Sequence, residues 1–204
     1  MNDVVVWAVD VGSVKRNRFG WCRRTGQNME SSHDIRKLVA GIVMDLDQGK
    51  RVALGFECPL FVPITEDPEL LTSARVGEGN RAWAAGAGCG ALATGLTESV
   101  WVLEGIRQAM TKPVVPTVDW QRFRDREANL FLWEAFVTGA AKGIHHMNDA
   151  EIAAEKFWLS LDNIPGANAV SAESPFSLIG AALLRSQLTS DLSVLFKPCV
   201  VLRA

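Results

Sequence analysis

The sequence predicts an α/β fold: a mixed sheet that begins with an antiparallel hairpin, continues with parallel strands and is flanked by helices. Three observations predict it. Val4–Asp10 is an unbroken apolar run, and a short polar turn joins it to a second strand-like run, Phe19–Arg24. A helical stripe follows, formed by Ile35, Leu38, Val39, Ile42, Val43 and Leu46. A second apolar run, Val52–Cys58, comes next. Strand, hairpin, helix and strand in that order give a mixed sheet with a crossover helix.

Val4–Asp10 is expected inside the sheet, because it is apolar throughout while its hairpin partner is more polar. The turn Val11–Arg18 returns the chain to Phe19–Arg24, and a third short strand is expected before Ser31. Ser32 is a candidate cap for a helix over Asp34–Gln48, which Gly49 ends. Pro59, Pro63 and Pro68 break the stretch from Leu60 to about Asn80 into a long irregular segment, of a length that compact domains usually reserve for function. Ala82–Met110 reads as one or two helices rich in small residues. Its Gly86-Ala87-Gly88-Cys89-Gly90 has neither a preceding strand nor a following Gly-Lys-Ser/Thr, so close helix packing is expected there and not a phosphate loop. Pro113–Val118 and Leu130–Val137 read as strands. Asn148 is a candidate cap for a helix whose stripe is Ala150, Ala153, Phe157 and Leu161, stopped by Asn163-Ile164-Pro165-Gly166. A last helix near Phe176–Leu188 and a strand from Leu192 to Leu202 complete the chain.

With 204 residues, 48% of them hydrophobic, one well-buried domain over residues 1–204 is expected. No apolar run reaches the roughly 18–20 residues that cross a bilayer, so no membrane association is expected. The first residues lack a basic region followed by an apolar stretch and a small-residue cleavage site, which argues against secretion. Cys22, Cys58, Cys89 and Cys199 are scattered, and they read as buried free thiols in a reducing cytoplasm. The net charge of −2 argues against non-specific nucleic-acid binding by the whole surface. Two local basic groups remain: Lys15, Arg16, Arg18, Arg23 and Arg24, and then Arg122, Arg124 and Arg126.

Four carboxylates fall where a core must accommodate them: Asp10, Glu57, Glu134 and Asp149. Asp10 closes the first strand, Glu57 lies near the end of the second apolar run, and Glu134 sits inside Leu130–Val137. Asp149 opens a late helix. An isolated carboxylate at the end of a buried strand is costly without a partner, and strand carboxyl ends are where α/β sheets bind ligands. Asp10 and Glu57 are expected on adjacent strands and on one side of the sheet. Alternation puts Asp10 with Val4, Val6 and Ala8, and Glu57 with Ala53 and Gly55, whose small side chains would leave space there. Hard divalent cations prefer such oxygen ligands, and two-metal phosphodiester chemistry gathers three or four of them. Structural roles compete at each position. Asp10 can cap the turn through Gly12 or Ser13, Glu134 can pair with Arg122 or Arg124, and Asp149 can complement the helix dipole. Glu151 competes with Asp149 for the ligand role, and His145 or His146 is placed to shuttle protons near a metal-bound water.

Strand one ending in Val9-Asp10-Val11-Gly12, the hairpin after it and the later helix opening with Asp149 resemble the ribonuclease H-like superfamily. Within it the chain is most similar to a family of predicted nucleases of unknown function. The matching motifs are Asp10, Glu57 with Pro59, Trp133-Glu134-Ala135-Phe136, and Asp149 with Ala150, in that order over residues 4–161. The family commonly has aspartate where Glu57 stands, and a second aspartate where this helix has Asp149-Ala150-Glu151. The resemblance implies a ribonuclease H-like sheet and a nuclease dependent on Mg2+ or Mn2+. Asp10, Glu57 and Asp149 would be its metal ligands, and Glu134 a further ligand or the residue orienting water. DNA or RNA would be the partner, although a small phosphoester would suit the pocket as well, and the place of Lys15, Arg16 and Arg18 on the hairpin next to Asp10 makes them the residues expected to hold the substrate backbone. Two other classes remain open: a non-catalytic binding or scaffold protein that keeps the fold without metals, and an actin-like nucleotide-binding enzyme. The latter is suggested by Asp10-Val11-Gly12-Ser13 but lacks the second copy of the fold.

Overall fold

The computed structural model describes residues 3–80 and 82–204. The first strand, β1 (Val4–Asp10), is buried along its whole length. It pairs antiparallel with β2 (Gly20–Thr25), which pairs antiparallel with β3 (Asn28–Ser32). Helix α1 (Ile35–Asp47) then crosses over to β4 (Arg51–Phe56), parallel to β1. Next come a short β5 (Phe61–Pro63), a 3-10 turn at Pro68–Leu70 and the long helix α2 (Gly86–Ala109). The two-residue β6 (Pro116–Thr117) and α3 (Trp120–Arg124) lead into β7 (Leu130–Phe136), which lies parallel to β4. Helix α4 (His146–Leu159), β8 (Pro175–Ser177), α5 (Leu178–Arg185) and β9 (Val201–Arg203) follow. The sheet order is β3-β2-β1-β4-β7-β6, with β9 also on β7, while β5 and β8 form a separate pair. The expected α/β architecture with a mixed, helix-flanked sheet is therefore observed, and β1 is interior to it.

Alternation along the strands splits the apolar side chains into two cores. Val5, Trp7 and Val9 pack with Leu54 and Phe56 under α1, α2 and α5. Val4, Val6 and Ala8 pack with Ala53, Phe131 and Trp133 under α3 and α4. The second core is aromatic: the Trp133 and Phe157 rings lie 4.7 Å apart in a tilted pair. Gly55 makes this possible, since a Cβ there would fall 2.2 Å from the Trp133 ring. The space expected above Gly55 is thus filled by an indole. Two buried tryptophans also find partners for their N–H groups, whereas that of Trp133 has none among the described residues. Trp7 donates to Asp45 (3.0 Å) and Trp21 to the carbonyl of Asp34 (2.8 Å).

Several boundaries differ from the sequence reading. Asp34, not Ser32, caps α1, because its carboxylate accepts from the amides of Arg36 and Lys37 while Ser32 Oγ accepts from the amide of Asp34. Helix α4 begins at His146, so Asn148 lies inside its first turn and bonds Glu151 instead of capping. The expected strand over Leu192–Leu202 is a 3-10 turn at Leu192–Phe196 followed by the short β9, since Pro198 interrupts the run. Cys22, Cys58 and Cys199 are buried, but Cys89 is exposed on α2. Among the described residues no helix is long and apolar enough to cross a membrane.

Candidate metal centre

Register brings the acidic groups together. Val9 lies opposite Phe56 in the parallel β1–β4 pair, and the amide of Glu57 donates to the carbonyl of Val9 (2.7 Å). The next residue on each strand, Asp10 and Glu57, therefore leaves the sheet at the same level and on the same face. That face is covered by α4. Gly20 sits opposite Asp10 on β2, and a Cβ there would come within 2.6 Å of the backbone of His146 and Met147. Without a side chain at Gly20, the start of α4 settles against the sheet and brings Asp149 to the two strand-end acids. One ligand oxygen each from Asp10, Glu57 and Asp149 lies within 4.8 Å of the others.

The surroundings of the three acids differ. Asp10 is hydrogen-bonded to the Nδ1 of His146 through Oδ2. Asp149 Oδ1 accepts from the amide of Gly143 (2.6 Å). The Nζ of Lys142 stands 3.4 Å from Glu57 Oε1 and 3.3 Å from Asp149 Oδ2. Among the described residues Glu57 Oε2 is buried with no hydrogen-bond partner. Burial, and then the charge of Asp10, push the Glu57 carboxyl up to about 8, against the pull of Lys142. Burial also raises Asp10 to about 6, with His146 acting in the opposite direction. A nearby carboxylate on α2, Glu98, accepts from the amide of Gly12 (3.2 Å), and burial raises it to about 7. Three crowded acids, of which Glu57 keeps its proton at neutral pH, form a site that one lysine only partly neutralises once all three are ionised. An unpartnered buried oxygen and an all-oxygen donor set fit a hard divalent cation such as Mg2+ or Mn2+.

No protein-family model matches this chain, and neither a curated protein nor a solved structure does.

Glu134 does not join the three. It lies opposite Phe56 in the β4–β7 pair, one residue short of the level of Glu57, so it leaves the sheet on the other face. There both of its oxygens are bonded to Arg75 (2.7 and 2.8 Å), and Oε2 also accepts from the amide of Leu60 (2.9 Å). Arg75 in turn pairs with Glu78 (2.9 Å). The arginine partner considered for Glu134 is thus neither Arg122 nor Arg124 but a buried residue of the long loop. Glu151 also stands apart, bonded to Ser31 Oγ (2.7 Å) and Asn148. Of the two histidines His146 is in the site, and His145 is exposed at the start of α4.

Lys15, Arg16 and Arg18 lie in the exposed turn that directly follows Asp10, and among the described residues none of them is ion-paired. Arg23 and Arg24, in contrast, are committed to Asp45 and Glu155. A cleft of about 460 Å³ opens beside the acids, lined by Asp10, Glu57, Lys142 and His146, by the Arg75–Glu134 pair and by the small residues at the start of α2. Sequence reasoning missed Lys142, Arg75, Glu78 and Glu98. Lysine and arginine in loops carry no positional signal of their own. The one legible hint was the length of the proline-broken segment that supplies Arg75 and Glu78.

Proposed function

We propose that this protein is a ribonuclease H-like, Mg2+- or Mn2+-dependent phosphodiester hydrolase acting on nucleic acid, with Asp10, Glu57 and Asp149 as metal ligands. The observation that carries the reading is the convergence of these three acids, from three distant parts of the chain, with a buried oxygen among them that no described residue partners. The sheet order supports it: an antiparallel β1–β2–β3 meander followed by parallel β4 and β7, with the first acid ending β1. A bound divalent ion would supply Lewis acidity and a water of lowered pKa. The chain's own residues do the rest. His146 fixes the orientation of Asp10, and Gly143 fixes that of Asp149. The exposed Lys15, Arg16 and Arg18 hold the phosphate backbone next to the cleft. In hydrolysis the water oxygen bonds to phosphorus as one ester P–O bond breaks. One water proton ends on the departing alcohol, and the other is lost from the new monoester.

A non-catalytic reading has one observation in its favour, the pairing of Lys142 with two of the acids, which neutralises part of the cluster without any ion. One assay separates the two. Single-stranded, duplex and branched DNA and RNA are incubated with Mn2+ and either the wild-type protein or Asp10→Asn. Cleavage that vanishes in the variant supports the hydrolase. Cleavage that survives in it points to a contaminant or another site, and inactivity without Mn2+ binding favours the scaffold.

A further inference from the structure

We infer that Lys142 supplies the second cation of this site, so that the triad holds a single divalent ion and the Lys142 ammonium faces the scissile phosphate. The inference rests on the hydrolase reading above and specifies its ion count and one of its catalytic residues. Two-ion sites place their metals roughly 3.5–4 Å apart and surround both with carboxylates. Here three acids converge among the described residues, the fewest that hold such a pair, and Lys142 already stands at two of them. The fourth acid expected from the sequence, Glu134, projects from the opposite face with both oxygens bonded to Arg75. Glu98, the other acid near Asp10, is occupied by the amide of Gly12.

Charge leads to the same count. Among the described residues, the three ionised carboxylates are balanced by one divalent ion and the Lys142 ammonium. Lys142 already spans Glu57 and Asp149 at 3.4 and 3.3 Å, and it lines the cleft by which a substrate reaches Asp10 and Glu57. Its side chain is 48% exposed, so it can turn from the acids toward an incoming phosphate without opening the core. A preorganised cation aimed at the phosphoryl oxygens stabilises the charge that develops on them in the transition state.

The test titrates MnCl2 into the full chain by calorimetry, for wild type, Asp10→Asn, Lys142→Gln and Lys142→Arg. Hydrolysis of the oligonucleotide that the wild type cleaves fastest is measured in parallel. The expected results are one ion per wild-type chain and none in Asp10→Asn. Lys142→Gln should bind the ion about tenfold more tightly, because a repelling charge is gone, yet hydrolyse at least a hundredfold more slowly. Lys142→Arg should fall between the two. Two ions per wild-type chain, or Mn2+ affinity in Lys142→Gln equal to or below wild type, overturns the inference and leaves the hydrolase reading standing. Unchanged hydrolysis by Lys142→Gln does the same. No Mn2+ binding by the wild type overturns both.

Discussion

Replacing Glu57 by Gln should invert the usual sign of a buried-site substitution. Glu57 carries a carboxyl pushed up to about 8 from its ordinary 4.5, chiefly by burial and then by Asp10. The folded chain therefore holds a proton on Glu57 that the unfolded chain releases. Its stability is intact below about pH 4.5 and is lost progressively as pH rises toward 8. One pKa unit corresponds to about 1.4 kcal/mol, so the loss approaches 5 kcal/mol above pH 8 as an upper bound. Glutamine keeps the shape and removes the titration. Urea unfolding of the metal-free protein in a chelator, at pH 5, 7 and 9, checks this. Wild type should weaken steadily across the series, and Glu57→Gln should weaken far less, becoming the more stable of the two at pH 9. Saturating Mn2+ should restore wild type at pH 9 and leave the variant unchanged, since an ion bound only to the folded state stabilises it. Parallel pH profiles for the two proteins would refute the reasoning, because Glu57 would then not be the strained acid.

Mn2+ affinity should climb between pH 6 and 8, as Asp10 and then Glu57 give up their protons, by about tenfold per pH unit for each proton displaced. Calorimetry in buffers of different ionisation enthalpy counts those protons. Arg75→Met should destabilise by about 3–5 kcal/mol by leaving Glu134 buried without its partner. Adding Glu134→Gln should recover part of that loss in urea melts. Gly20→Ala should leave the fold intact but shift the start of α4 away from Asp10, with Mn2+ affinity falling at least tenfold in calorimetry.

The sheet was legible because β1 and β4 are apolar except for a charged residue at one end. Val4–Asp10 and Val52–Cys58 leave no room for another assignment, and their common level follows from parallel pairing. Asp10, Glu57 and Asp149 stood out for the same reason, as charges at the edges of apolar segments. Glu134 looked equivalent, yet parity separates it. It shares a face with Phe56 and Val9, and the one-residue difference from Glu57 depends on a strand register that the sequence does not state. Arg75 and Lys142 were invisible because each lies in a loop and finds its partner only in the folded chain. The two-residue β6 and three-residue β9 were overextended in the reading. Their lengths are set by where β7 offers free backbone groups, not by their own hydrophobic runs.

The central claim is that three acids, at the end of β1, just past β4 and in α4, form a divalent-cation site. A crystal soaked in MnCl2 and measured at a wavelength giving manganese anomalous signal tests it most directly. The account predicts one anomalous peak at about 2 Å from carboxylate oxygens of Asp10, Glu57 and Asp149, with Lys142 turned from the acids toward the cleft. An empty triad with Lys142 still seated between Glu57 and Asp149 would contradict it.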